Sequence, residues 1–338
     1  MRRLYLVGIV IVILVVAVGV YYLMQPKAPE MPTGSYTLTF TSGTTGADWF
    51  TAGGTISNLI ATAMPNVVIT NVPGGGVTNV LRVNSSQADL GLTYLSALRA
   101  GLAGGTIGGV TVVQGYLTNV KAMLSFNIPS PMTIIVRSDI PASTMDELVS
   151  KKIPMKWLAF SAGTANMMNA RIMLSVAFGV TFDDLKNWGG SVSLLPSAQC
   201  LQQLQDGLAD GYFGTNVLGE SWIQQIMLTG KFKILPLSDA ALQKITALGY
   251  PQYTIKAGTY PNQNTDIKTF ADQTILIVRA DLPENLVYYM TKAVVEGRNT
   301  LTLAVHSFEI DPTTAGKKVQ PYLHPGAERY FRDMGYLS

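Results

Sequence analysis

Glycine and hydroxyl residues dominate three short stretches of the 338-residue chain, and each stretch follows a run of mostly apolar residues. The first is "TFTSGTTGADWFTAGG" at residues 39–54, the second is "VPGGG" at 72–76, and the third is "SAGTAN" at 161–166. A turn of this kind at a helix start exposes backbone N–H groups, which attract negative charge. The first stretch lacks the Gly-Lys-Ser/Thr of an ATPase phosphate loop. We therefore expect an anion site built from three helix starts.

Each turn also has a purely structural explanation. Glycine permits tight turns, and a serine or threonine caps the first N–H groups of a helix. The run Gly74-Gly75-Gly76 argues against this explanation, since three glycines raise the entropic cost of folding and a cap does not need them. Such a loop is expected where another group approaches the backbone closely.

The residues of a typical enzyme site are scarce. The chain has no G-x-S-x-G, H-E-x-x-H or G-x-G-x-x-G motif in its usual setting, and its only histidines and cysteine are His306, His324 and Cys200. We assign His324 a structural hydrogen-bonding role. Asp89 and Asp210 occupy equivalent positions in two similar segments, which indicates turn residues and not an acid–base pair. The sequence therefore predicts a binding protein without catalytic residues, metal or cofactor.

The same order of elements occurs twice. After residue 35 the chain alternates predicted strands and helices, which indicates α/β layers with a mostly parallel sheet. In each half, two strand–turn–helix units lead to a short strand, in "ADLGLTY" or "LADGYFG". A further pair, "TIIVRSDIP" and "TILIVRADLP", marks strands where we expect the chain to cross between the halves. The repeat predicts two similar domains with a ligand cleft at the carboxyl ends of their strands.

An uncharged run at residues 4–24 follows Arg2 and Arg3. It is long enough to cross a bilayer, and the two arginines place the N-terminus in the cytoplasm. A cleaved signal peptide is the alternative, although the run is long for its apolar region. We predict a transmembrane helix at residues 1–24, a linker at 25–34, and a cell-membrane protein with its binding domain on the extracytoplasmic side. The net charge of only +3 argues against nucleic acid as a partner.

From about residue 34 to 336 the chain resembles the TAXI family of substrate-binding proteins, which serve TRAP-type secondary transporters. The resemblance rests on "TSGTTGADWFTAGGTIS", "PGGGVTN", "FSAGTAN", "DGLADGYF", "GTYP", "RADLPENLVYYMTKAV" and "PYLHPGAERYFRDMG", of which the last is the most specific. It implies an α/β, type II periplasmic-binding-protein-like fold whose two lobes close on a small ligand. We expect lobe I at residues 35–133 and 276–338, and lobe II at residues 134–275.

The resemblance also implies which residues contact the ligand. They are Thr44, Thr45 and Trp49 in the first turn, Gly74, Gly75, Gly76 and Asn79 in the second, and Ser161, Gly163, Thr164 and Asn166 in the third. We add Tyr94 and Asn216, which follow the two short strands. Asp48 departs from the family pattern and brings negative charge close to the expected anion. Arg137 and Arg171 are the rival candidates for binding that anion directly.

The function implied is capture of a small carboxylate, such as glutamate or 2-oxoglutarate, and its delivery to the membrane subunits of a TRAP-type transporter. We expect a monomer. A receptor for an ABC-type importer, a sensor, and an enzyme on the same fold are the alternatives. The sequence does not identify the ligand.

Overall fold

The computed structural model describes residues 28–306 and 308–338 of the chain. Its strands are β1 (Tyr36–Thr41), β2 (Val67–Val72), β3 (Leu90–Tyr94), β4 (Thr106–Ile107), β5 (Val110–Thr111), β6 (Val120–Arg137), β7 (Lys156–Phe160), β8 (Ser191–Leu195), β9 (Gly211–Thr215), β10 (Phe232–Ile234), β11 (Gln252–Ile255) and β12 (Ile267–Arg279).

Helices connect most of these strands. The α-helices are α1 (Asp48–Ala63), α2 (Gly76–Asn84), α3 (Leu95–Leu102), α4 (Met145–Ser150), α5 (Ala165–Ile172), α6 (Phe182–Asn187), α7 (Ser197–Gln205), α8 (Ser221–Leu228), α9 (Asp239–Thr246), α10 (Glu284–Glu296), α11 (Arg298–Ala304), α12 (Pro312–Ala315) and α13 (Pro325–Asp333). A π-helical segment (Met173–Ala177) continues α5, and a 3-10 helix (Lys317–Tyr322) precedes α13.

One mixed sheet runs through the described residues. Its strand order is β2-β1-β3-β12-β6-β9-β7-β8, with β10 paired to β6 and β11 paired to β12. The two long strands, β6 and β12, lie side by side in the middle and run antiparallel. The predicted α/β architecture is therefore confirmed. The sheet is less parallel than predicted because both long strands run against their neighbours.

The sheet has two halves with the same strand order. In the first half, β1 pairs in parallel with β2 and β3, and residues 274–278 of β12 run antiparallel to β3. In the second half, β7 pairs in parallel with β8 and β9, and residues 132–136 of β6 run antiparallel to β9. The two segments predicted to cross between the halves are these parts of β6 and β12. The sequence repeat thus corresponds to a repeat in topology.

The two equivalent aspartates have equivalent structural roles. The Asp89 carboxylate lies 3.2 Å from Nη1 of Arg279, and the Asp210 carboxylate lies 3.0 Å from Nη1 of Arg137. Each carboxylate also accepts a hydrogen bond from a backbone N–H of the neighbouring parallel strand, β1 or β7. Both aspartates therefore link the end of a crossing strand to a neighbouring parallel strand.

The C-terminal helices close the first half of the molecule. Leu286, Met290 and Val294 recur every four residues on α10 and are buried. Helix α13 packs against α10, with the rings of Tyr288 and Tyr330 5.6 Å apart at their centroids. His324 immediately precedes α13, and its Nδ1 accepts a hydrogen bond from the N–H of Gly326 at 3.1 Å. This histidine is a buried helix cap, and burial lowers its pKa.

The predicted membrane localisation is corrected by the structure. Across residues 28–306 and 308–338, no helix combines the length and apolar character needed to cross a bilayer. The predicted span at residues 4–24 lies outside the described residues. The assignment of the protein to the cell membrane as a single-pass protein is therefore withdrawn.

Candidate functional site

The three predicted turns meet between the two halves of the sheet. The N–H of Thr78, near the start of α2, donates to the carbonyl of Gly163 at 2.9 Å, and the hydroxyl of Thr78 donates to the same carbonyl at 3.2 Å. Between the turns lies a small cavity, here called the turn cavity. It is lined by Gly43, Thr44, Ala47, Trp49, Gly74, Gly75, Gly76, Phe160, Thr164, Asn166 and Glu220.

The turn cavity is narrow and opens beside a wider one. Its volume is about 20 Å³, which accommodates roughly one water molecule. A second cavity of about 330 Å³, the outer cavity, shares Thr44, Gly74, Gly75 and Thr164 with it and adds Thr45, Pro73, Thr78, Arg82, Ser161, Ala162 and Pro196. A ligand of several heavy atoms therefore requires the turns to move apart before it enters.

The helix starts around the turn cavity differ in how they are capped. Ala47 precedes α1 and Gly75 precedes α2, and neither helix receives a side-chain cap. By contrast, Thr164 caps α5, because its hydroxyl accepts a hydrogen bond from the N–H of Met167 at 3.3 Å and donates to Ser161 at 2.8 Å. Neither start is capped by the side chain of the residue that precedes it. At α2 the N–H of Gly75 bonds Asn79 and that of Thr78 bonds Gly163, so a ligand anion would meet the remaining N–H groups of these first turns.

The three consecutive glycines serve two different contacts. A Cβ on Gly74 would lie 2.1 Å from Oδ1 of Asn79, within the same half of the sheet. A Cβ on Gly75 would lie 2.8 Å from the side chain of Thr164, and one on Gly76 would lie 2.5 Å from Cβ of Ala165. The second turn therefore needs glycine at 75 and 76 because the third turn packs directly against its backbone.

Asn79 holds the second turn in place. Its side chain is buried and donates to the carbonyls of Ser42 at 2.6 Å and Leu92 at 2.7 Å. Its Oδ1 accepts from the N–H of Gly75 at 3.0 Å and from the hydroxyl of Thr41 at 2.8 Å. Asn79 was predicted to contact ligand, but it does not line either cavity. It positions the two turns of the first half.

Three other predicted residues lie behind the cavity wall or at its edge. The hydroxyl of Tyr94 donates to the carbonyl of Thr215 at 3.1 Å, and its ring packs edge-on against Trp49, 5.0 Å between centroids. Asn166 lines the turn cavity and donates to the same Thr215 carbonyl. Asn216 accepts from Tyr212 at 3.1 Å and lines neither cavity. Thus Tyr94 joins the two halves, while Asn166 and Asn216 make their contacts within the second half.

The arginine that faces the site was missed in the sequence. Arg137 pairs with Asp139 and Asp210 and lines neither cavity, and Arg171 is exposed on α5. Arg82 instead lines the outer cavity, where it donates to the carbonyl of Pro73 at 2.7 Å and the hydroxyl of Thr41 at 3.0 Å. The sequence did offer one signal for Arg82. It lies six residues after Gly76, nearly two turns along α2, and this spacing directs its side chain back toward the glycine-rich loop.

Two carboxylates stand close to the turn cavity. Glu220 lines it and is only 4% exposed, and its pKa is raised well above 4.5 by burial and by the nearby charge of Asp48. Asp48, at the start of α1, accepts a hydrogen bond from the hydroxyl of Ser221 at 3.2 Å, which links the two halves. Glu220 was missed because it follows the irregular segment after β9, which matches no motif.

A larger cavity of about 500 Å³ lies apart from the three turns. Its lining includes Ser96, Arg99, Tyr250 and Asp272. The Asp272 carboxylate already accepts hydrogen bonds from Ser96, Asn169 and the N–H of Gln273. Across the described residues, no group of three or more His, Cys, Asp or Glu side chains is placed to hold a metal ion.

Several solved structures are similar to this chain over most of its length. MatC (Rpa3494) from Rhodopseudomonas palustris with bound malate is similar at a TM-score of 0.54 and 15% identity, covering 88% of this chain and 98% of that one. The periplasmic binding protein BugD gives 0.52 and 15%, covering 90% and 98%. R. palustris Rpa4515 with adipate gives 0.51 and 13%, covering 91% and 98%. At identities this low, the similarity shows that the fold is shared and nothing beyond the fold.

The sequence itself identifies the family. A model of the NMT1-like family matches residues 40–335, which include all three turns, both long strands and the C-terminal helices. This match covers more than half of the chain. The chain therefore belongs to the NMT1-like family.

Proposed function

We propose that the protein is a solute receptor of the TAXI type that binds a small carboxylate and delivers it to the membrane subunits of a TRAP-type secondary transporter. The observation that carries this proposal is the convergence of two helix starts without side-chain caps, α1 and α2, on one cavity. The malate and adipate of the structural relatives agree with a carboxylate ligand. The partner transporter is inferred from the resemblance described above.

The carboxylate would be bound mainly by backbone N–H groups and hydroxyls. Each helix dipole contributes about 0.3–1 kcal/mol to binding of an anion, and more when the site is partly buried. A hydroxyl that donates to an ionised group adds roughly 1.5–3 kcal/mol. Thr44 and Thr45 precede the start of α1 and supply such hydroxyls, and Arg82 is the cation that lines the path through the outer cavity.

Binding would be coupled to opening and closing of the two halves. In the arrangement described, Thr78–Gly163, Asp48–Ser221 and Tyr94–Thr215 hydrogen bonds join them around a cavity too small for a dicarboxylate. The ligand must therefore enter a more open form and be enclosed when the halves close again around an enlarged turn cavity. The crossing strands β6 and β12 are the natural hinge, since they are the sheet strands shared by both halves.

A calorimetric titration tests this proposal. Malate, adipate, L-glutamate and 2-oxoglutarate are each titrated into the purified protein, and small-angle scattering is recorded with the tightest of them. We expect saturable one-to-one binding of at least one compound and a smaller radius of gyration at saturation. Absence of binding across the whole panel would contradict the carboxylate receptor, and an unchanged radius would contradict the hinge.

A further inference from the structure

Glu220 is a buried acid that faces the turn cavity. It immediately precedes α8, but its side chain does not cap that helix. It is 4% exposed and shares the cavity wall with Trp49, Phe160, Thr164 and Asn166. Glu220 is therefore a buried acid in the wall around the space that a ligand would fill.

No cation of the described residues neutralises this acid. The ion pairs of residues 28–306 and 308–338 do not include Glu220, and the backbone of Val217 is the group that hydrogen-bonds its carboxyl. The charged neighbour that acts on it is Asp48, which is also acidic. A buried carboxylate is strongly disfavoured unless it is paired, so it stays protonated or receives a cation from outside.

Two aromatic side chains make the same part of the cavity suited to a cation. Trp49 and Phe160 line it on either side of the boundary between the halves. Aromatic faces attract ammonium groups, and this attraction is strongest where water is excluded. Carboxylate and aromatic groups together are thus complementary to an ammonium ion and unfavourable for a second anion.

We propose that Glu220 binds an ammonium group of the ligand, so that the ligand is an amino acid and not the corresponding 2-oxo acid or a simple dicarboxylate. This inference rests on the proposed carboxylate-binding function. The helix starts of α1 and α2 bind the carboxylate, and Glu220 with Trp49 and Phe160 binds the neighbouring ammonium. Glu220 thereby determines which of two ligands with the same carboxylate is accepted.

Matched pairs of ligands test the inference. L-Glutamate with 2-oxoglutarate, L-alanine with pyruvate, and L-leucine with 4-methyl-2-oxopentanoate differ mainly in an ammonium group replaced by a carbonyl. Each is titrated calorimetrically into the wild-type protein, the Glu220→Gln variant and the control Glu309→Gln, which changes an exposed acid away from the three turns. Repeating the titrations near pH 6 in buffers of different ionisation enthalpy counts protons released on binding.

The expected result has four parts. At least one amino acid binds the wild type ten times or more tightly than its oxo acid, and Glu220→Gln weakens binding of that amino acid about thirtyfold or more. The Glu309→Gln variant binds as the wild type does. Binding to the wild type also releases a proton from Glu220, because the ammonium favours the ionised carboxylate, and Glu220→Gln abolishes this release. If the Glu220→Gln variant folds poorly, circular dichroism reveals it, and the ligand preference and proton release of the wild type then decide.

Other outcomes overturn the inference in distinguishable ways. If an oxo acid or simple dicarboxylate binds the wild type at least as tightly as every amino acid, the ammonium site is wrong while the carboxylate receptor stands. The same holds if the Glu220→Gln variant keeps the wild-type preference for the amino acid. If no compound binds at all, the proposed function fails and the inference fails with it.

Discussion

The two halves of the sheet share a scaffold and differ at the site. In each half a central strand pairs in parallel with two neighbours, and a fourth strand runs antiparallel to one of those neighbours. Both fix that fourth strand with an aspartate–arginine pair, Asp89–Arg279 in the first half and Asp210–Arg137 in the second. The repeat therefore extends from topology to individual ion pairs that lie away from the cavity.

The differences concentrate at the ends of the strands. In the first half, the helix after the first strand follows Ala47 and has no side-chain cap. In the second half, the equivalent helix is capped by the side chain of Thr164. The helix after the third strand is preceded by Tyr94 in the first half and by Glu220 in the second. Thus one half leaves backbone donors available for an anion, while the other provides a buried acid. The unequal ends suit a ligand with two unlike groups.

The largest effect is expected from a change that prevents the halves from meeting. A Cβ at Gly76 would lie 2.5 Å from Cβ of Ala165 on the opposite turn. Overpacking of this kind costs about 1–3 kcal/mol, and here it acts on the closed form alone. Gly76→Ala should therefore weaken ligand binding by about ten- to a hundredfold in a calorimetric titration, with little loss of thermal stability.

Gly54→Ala is the matched control for this change. Gly54 lies within α1, and the nearest atom to an added Cβ is Nδ2 of Asn71 at 3.8 Å. Alanine there should stabilise the helix by about 0.5–1 kcal/mol and leave ligand affinity unchanged. Equal affinities for the two alanine variants would show that contact between the second and third turns does not accompany binding.

The shared ion pairs should affect stability and not binding. Asp89→Asn and Asp210→Asn each remove the charge that bonds an arginine and a backbone N–H. We expect each to lower the free energy of unfolding by roughly 1.5 kcal/mol or more, by similar amounts in the two halves. Chemical denaturation measures this effect, and titration serves as the control. A large loss of affinity from either variant would place these aspartates in the site.

Glu220 should make the stability of the unliganded protein depend on pH. Burial raises its pKa above the ordinary value of 4.5, so above that pH the folded state retains a proton that the unfolded chain loses. The contribution of this group to the free energy of unfolding is complete below about pH 4.5 and is lost as the pH rises toward the raised pKa. Over that range the free energy of unfolding falls by up to about 1.4 kcal/mol per pH unit.

The variant Glu220→Gln removes this titration. Melting temperatures of the variant and wild type should be similar near pH 4.5, and the variant should become the more stable protein as the pH approaches 7. Thermal melts of both proteins across this range are the measurement. A constant difference between the two melting temperatures would indicate that Glu220 ionises freely in the fold.

The smallest effect is expected from giving the first half the cap of the second. Ala47→Ser places a hydroxyl before α1, where it bonds an N–H that would otherwise face the ligand. We expect thermal stability to increase by about 1 kcal/mol or less and ligand affinity to fall several-fold, because the hydroxyl competes for the same donor. Unchanged affinity in this variant would mean that the start of α1 does not bind the carboxylate.

Much of the scaffold was predictable because its patterns are local. Alternating strands and helices were predicted after residue 35, where β1 begins at Tyr36, and repeated motifs predicted both crossing strands. The two "AD" segments predicted turn aspartates, and the structure adds their arginine partners. These features depend on spacing along the chain, so a single sequence was sufficient.

The site was harder to predict because its contacts join distant segments. The Thr78–Gly163 contact spans 85 residues, and nothing in either segment specifies the other. Phe160 and Glu220 reach the cavity only because the second half packs against the first. Asn79 was expected at the ligand, since a polar residue beside glycines predicts binding and supporting hydrogen bonds equally well. Only three-dimensional packing distinguishes the residues that contact the ligand from the residues that hold them in position.

A crystal structure of the protein with the ligand that co-purifies with it tests the central claim most directly. The account predicts a carboxylate within hydrogen-bonding distance of the N–H groups at the starts of α1 and α2, in an enlarged turn cavity, with Glu220 in contact with the rest of the ligand. A ligand found instead in the cavity of about 500 Å³, beside Arg99 and Asp272, would contradict it.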